Sequence, residues 1–363
     1  WRPCWPFWLH RVGSGGPRGD VTVADAYPAP AVIEGVPKIG FGVHMCPFPG
    51  SLSSVLEFLG DPVDYDYVMG VSGACFRRVW NRDDGGNVDL MYFEPEPYER
   101  ILNALGYEFR TVPRSDKAAM VAAVKESIAA GRPVLATVLV GPPEVGVITG
   151  YDADGETLIG WSYFQDAALP GYCEVPGWFE KLEGGPKVGL IVLGEKTGMV
   201  PTAEETLLSS LEWAVDLART ETRPGIPDHI LGLAAYDGWA DGLEVDADFT
   251  ADDARVLETR RMVHGDQSVM LVERHSAAGF LRDMAAEVPE VAEPLEEAAR
   301  LYDEVGDLIG KVWPWADDKG PAVQQALVDS EQRRQVAEHI RAARGREAQA
   351  IGFLEQAIGM LKQ

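Results

Sequence analysis

The stretch His44-Met-Cys-Pro-Phe-Pro-Gly-Ser-Leu-Ser-Ser-Val-Leu-Glu-Phe-Leu-Gly60 decides the reading of the fold, because a thiol stands just ahead of a well-punctuated helix. Leu52, Val55, Leu56 and Leu59 share one helical face, Ser51 is the candidate N-cap and Gly60 closes the run. Met45 and its neighbours read as a strand, which would point His44 and Cys46 to the same side. Outward from this block, helical periodicity recurs over Pro97 to Leu105 and Lys117 to Ala130, and Gly131 precedes the apolar run Pro133-Val-Leu-Ala-Thr-Val-Leu-Val140, a buried strand. Val145 to Tyr151 and Glu156 to Phe164 flank Asp152-Ala-Asp-Gly155 as a hairpin would, and Val188 to Leu193 supplies a last strand. Strands and helices alternating in this way predict an α+β domain over 32–200.

Beyond Val200 the period changes. Thr202 and Glu205 form a capping box ahead of Leu207, Leu208, Leu211, Val215 and Leu217. Segments near 228–243, 250–263, 266–287, 291–312 and 321–362 keep apolar residues three and four apart, which predicts an all-α helical bundle over 201–363. Arg274 and His275 are expected on a solvated face, and Trp313 and Trp315 as a plug between helices. The last helix, with Val336, Ile340, Ile351 and Leu354, is expected to close the bundle or a homodimer interface. Residues 1–31, rich in Trp and Pro, read as a poorly structured extension.

The net charge of -25 repels phosphate backbones and anionic lipid, so neither nucleic acid nor a membrane surface is an expected partner. No apolar run approaches the roughly 20 residues of a membrane span. Cys4, Cys46, Cys75 and Cys173 are widely spaced, without a metal-binding or disulfide-scaffold pattern, which fits reduced thiols in a cytoplasmic protein with no cofactor or metal.

Two further blocks join the first. Tyr65-Asp-Tyr-Val-Met-Gly-Val-Ser-Gly-Ala-Cys-Phe76 follows the first helix, and Glu144-Val-Gly-Val-Ile-Thr-Gly-Tyr-Asp152 opens the hairpin. Together they resemble the papain-like fold of the bacteriocin-processing cysteine peptidases and the N-terminal domain of butirosin biosynthesis protein H, a thiol acyltransferase. The resemblance implies a papain-like N-terminal domain with Cys46 as nucleophile, since a helix N-terminus stabilises a thiolate and a neighbouring imidazole takes its proton. It places Glu144 where the family carries its base histidine, and Asp166 near the family's orienting residue. A carboxylate beside a thiol raises the thiol pKa, so the usual pair is absent; between Val32 and Val200 the only histidine is His44.

The candidate catalytic residues are therefore Cys46, Glu144, Asp166 and His44, with Trp161, Gln165 and Ser51 as candidate substrate-binding residues. Two functions are expected from them. One is a thiol-dependent amide hydrolase or acyltransferase acting on a small acyl or peptide substrate. The other is a catalytically degenerate papain-like domain that binds a small molecule or a protein through Glu144 and Trp161.

Overall fold

The computed structural model describes residues 30–83, 95–137, 139–140, 144–166, 168–178, 187–250, 253–312 and 321–363. Cys4, nearly all of the expected N-terminal extension, and Trp313 and Trp315 lie outside them. The chain is α+β and divides into two compact units, each discontinuous in sequence: 1–62 with 109–194, and 63–108 with 195–363. These borders differ from the continuous segments 32–200 and 201–363 expected above, because 63–108 folds with the later helices. No described helix is long and apolar enough to cross a membrane.

The first unit is built on a sheet in which strands β3 (Tyr107–Pro113), β8 (Val188–Lys196), β4 (Val134–Thr137), β5 (Val145–Asp152), β6 (Thr157–Trp161) and β7 (Cys173–Pro176) follow in that order, with β1 (Ala31–Val32) also on β5. The unit borders fall within β3 and β8. Strand β5 is central, pairing antiparallel with β4 (Val134↔Ile148) and with β6 (Val147↔Trp161). Its first six residues and all of β4 are buried, as strands covered on both faces require. One face packs Val134, Ala136, Ile148, Leu158 and Leu190 against Met120, Ala123, Val124 and Ile128 of helix α4 (Lys117–Ala129). Helix α1 (Pro47–Phe58) contributes nothing to that cluster and packs on β5 and β4 through its own buried face, Leu52, Val55 and Leu56. The hairpin between β5 and β6 turns through Ala153 and Asp154, both at positive φ.

The second unit gathers α2 (Tyr65–Ser72), β2 (Val79–Trp80), α3 (Glu96–Ala104), α5 (Ala203–Arg219), β9 (Ile230–Leu231), α6 (Gly232–Leu243), α7 (Ala254–Val272), α8 (Arg274–Glu287), α9 (Ala292–Gly310), α10 (Pro321–Val328) and α11 (Ser330–Leu361). The capping box of Thr202 and Glu205 starts α5. Glu273 separates α7 from α8, and Asp329 caps α11, where the periodicity had run through both positions. Trp80, Tyr236, Trp239, Leu243, Val305, Ile309 and Ile340 form its core.

Arg274 corrects the expectation of a solvated face, for it is 0% exposed. Its Nε and Nη2 each donate to Glu347 at 2.9 Å, and its guanidinium also donates to the carbonyls of Cys75, Phe76 and Arg77. Tyr236 donates its hydroxyl to the same carboxylate. A buried cation is tolerable only when paired and fully bonded, and here the first turn of α8, the chain after α2 and the middle of α11 supply that pairing. Helix periodicity cannot register it, because a polar residue on an apolar face counts only as a defect. His275 is exposed and bonds Asp303, whereas His264, stacked near Trp80 and Phe249, is held neutral, its pKa pulled to about 3 by burial.

Glu273 sits buried between α7 and α8, accepting from the Tyr65 hydroxyl at 3.1 Å. Burial pushes its carboxyl from 4.5 up to about 7, opposed by Arg77, the Tyr65 bond and Arg274, and assisted by Asp66. The folded state therefore holds this proton more tightly than the unfolded chain, so the stability it contributes is complete below about pH 4.5 and lost as pH rises through about 7. Urea unfolding across that range should show the wild type losing about 3 kcal/mol relative to Glu273→Gln. A difference that stays flat with pH would contradict this placement of the carboxyl.

Candidate functional site

Helix α1 begins five residues earlier than its apolar stripe indicates, with Cys46 rather than Ser51 as N-cap, at φ -92° and ψ 120°. Pro47 and Pro49 fall inside the first turn, where a missing N–H removes a donor that would have no helical partner anyway. Ser51 is thus not the cap. Its hydroxyl donates instead to the carbonyl of Val145 at 2.9 Å and fixes α1 against the first residue of β5. The segment expected as a strand is a turn, closed by Val43 and His44 N–H groups on the carbonyl of Gly40.

Around the head of α1 the chain comes close. Tyr163 donates its hydroxyl to the carbonyl of Cys46 at 3.3 Å, and the same carbonyl accepts the N–H of Gly50. A Cβ on Gly50 would collide with the Tyr163 hydroxyl and lie 2.9 Å from the Cβ of His44. Glycine is needed here for close approach, and His44 and Tyr163 are thereby placed beside the first turn that Cys46 caps. Phe41 packs edge-on to Tyr163 at 5.0 Å and to Phe164 at 5.5 Å.

Cys46 itself is reduced and only 2% exposed, and its side chain makes no cap hydrogen bond. Of the three N–H groups that a helix head ordinarily offers to an anion, two are absent at Pro47 and Pro49. The positive end of the helix dipole remains, but a thiolate there has only the N–H of Phe48 to accept in the first three positions. Cys75 and Cys173 are buried as well, and burial raises both thiols, Cys173 to about 11.

Glu144 stands immediately before β5, next to the residue that receives Ser51, so the strand end carrying the carboxylate and the helix carrying the thiol are joined by one hydrogen bond. It is half-buried, with its Oε2 atom buried. The remaining candidates fasten loops. Trp161 donates its indole N–H to the carbonyl of Val36 at 2.9 Å, meets Tyr172 edge-on and has Lys38 above its ring. Gln165 accepts from the N–H of Ser162 and donates to the carbonyl of Gly171. Asp166 is exposed and caps the N–H of Ala168, and no bond ties it to the head of α1.

The structure thus gathers His44, Cys46, Gly50 and Tyr163, with Ser51 leading to Glu144. Tyr163 and Gly50 were not singled out from sequence, although the aromatic Gly160-Trp-Ser-Tyr-Phe-Gln165 segment was the available signal. In the second unit a cavity of about 270 Å³ is lined by Glu96, Glu99, Arg100, Asn103 and Ser209 together with apolar neighbours such as Val71 and Pro201. No protein-family model matches the chain, and no curated protein matches it.

Gly50→Ala reads the close approach through its sign. In an open helix this change stabilises by about 1 kcal/mol, whereas overpacking against Tyr163 and His44 costs about 1–3 kcal/mol. Urea unfolding should show a loss, and a gain would mean that the first turn of α1 stands clear of Tyr163.

Proposed function

We propose that the first unit is a papain-like domain, akin to the bacteriocin-processing peptidases and the butirosin H N-terminal domain, that binds a small acyl or peptide ligand without turning it over. The observation that carries this reading is the enclosure of Cys46 at 2% exposure, at a helix head where proline replaces two of the three donors. A nucleophilic thiol needs access and a stabilised thiolate, and both are curtailed. Glu144, in the position of the missing base, presents a half-buried carboxylate that suits the ammonium or amide N–H of a ligand.

A second reading, thiol-dependent amide hydrolysis or acyl transfer, is favoured by one specific observation. The imidazole-bearing residue His44 and the hydroxyl of Tyr163 both abut the turn that Cys46 caps. In that reading His44 takes the thiol proton, the thiolate attacks the acyl carbon, and the amine or thiol of the substrate leaves with the proton.

Thermal-shift measurements with small amines, amino-acid amides and N-acyl peptides distinguish the two. On the binding reading a stabilising amine, worth about 2.7 kcal/mol at 100 times its Kd, loses its effect in Glu144→Gln and keeps it in Cys46→Ala. Turnover of an amide or thioester probe that disappears in Cys46→Ala would overturn it in favour of catalysis.

A further inference from the structure

Arg78 lies in the second unit directly before β2 and is 1% exposed. Its guanidinium lies 4.8 Å from the ring centre of Tyr236 and 4.9 Å from that of Trp239. The Nη1 atom is used, donating to the carbonyl of Val79 and to Oε1 of Gln267. The Nε and Nη2 atoms are buried and have no hydrogen-bond partner among the described residues. Those two nitrogens form the edge of the guanidinium that ordinarily meets an anion through two parallel N–H bonds. Gln267, 0% exposed, meets the guanidinium through Nη1 and leaves its own Nε2 donor without a partner among the described residues.

The neighbouring charges do not compensate this cation. Arg274 repels it, and the carboxylate of Glu347, which attracts it, is already bonded to Arg274 and Tyr236. Burial lowers the guanidinium only to about 10, so it is charged at neutral pH. An isolated buried charge with unmade hydrogen bonds is among the costliest groups a fold can hold. A water oxygen could accept from these N–H groups but would leave the charge uncompensated, whereas an anion brings acceptors and the opposite charge.

We infer that the second unit holds a small monovalent anion on the Nε and Nη2 edge of Arg78. Halide and carboxylate share the required chemistry, and the aromatic rings of Tyr236 and Trp239 leave the guanidinium edge as the side from which the anion is held.

Crystals of the full chain grown in sodium bromide should give an anomalous peak within about 3.5 Å of Arg78 Nε and Nη2, the contact distance expected of a charge-assisted bond to a large anion. In solution, the thermal midpoint at fixed ionic strength should be higher in bromide, chloride or formate than in bulky gluconate, by about 2–4 °C. A rise with formate alone identifies the anion as a carboxylate. Gln267→Glu places a carboxylate next to the guanidinium and should abolish both the peak and the anion dependence, which keeps the test independent of whether an Arg78 variant folds. Wild-type crystals without bromide at Arg78, or with bromide only elsewhere, together with equal midpoints in bromide, formate and gluconate, would overturn the inference.

Discussion

The hydrogen bond from the Ser51 hydroxyl to the carbonyl of Val145 sets the geometry on which the first unit's site depends. It locks the second turn of α1 to the first residue of the central strand, and through that register it brings the helix that Cys46 caps to the strand end of Glu144. Beside it, position 50 has no side chain, which lets the hydroxyl of Tyr163 reach the first turn and bond the carbonyl of Cys46. Three small features of the sequence, Gly50, Ser51 and the two prolines, therefore set where the thiol is and which backbone donors surround it. The prolines permit an early helix start while withdrawing the N–H groups that would support an anion.

The second unit follows a different logic, in which buried arginines organise backbone. Arg274 collects three successive carbonyls after α2 and pairs with Glu347, and Arg333 donates to the carbonyls of Leu243, Leu327 and Val328. Guanidinium suits this task because its donors are fixed in a planar fork and its charge survives burial. Each such site exchanges a desolvation cost for fixed relative positions of segments that are remote in sequence. Arg78 is the member of the set whose fork remains open, which is why it stands apart from the other two.

Much of the local structure was legible. The capping box at Thr202, the hairpin at 152–155 and the helix ending before Gly131 rest on short-range capping and turn signals, and they appear where the pattern placed them. The start of α1 was misplaced because apolar spacing marks the buried face, and the first turn of this helix is buried through Pro47, Phe48 and Pro49, which carry no helical period. The membership of 63–108 in the second unit was invisible for a different reason. It depends on pairings such as Val79 with Leu231, about which local propensity is silent. Of the candidate residues, Cys46 and His44 lie together at the head of α1, and Ser51, expected to bind substrate, spends its hydroxyl on Val145. Tyr163 was not singled out, since its role comes from a contact more than a hundred residues away in the chain.

The account stands on the thiol of Cys46 being enclosed at the head of α1. Timed iodoacetamide labelling of the folded chain, read peptide by peptide by mass spectrometry, measures this directly. Cys46 should react as slowly as the buried Cys75 and Cys173, with all three becoming fast together in denaturant; rapid labelling of Cys46 alone in the native protein would contradict it.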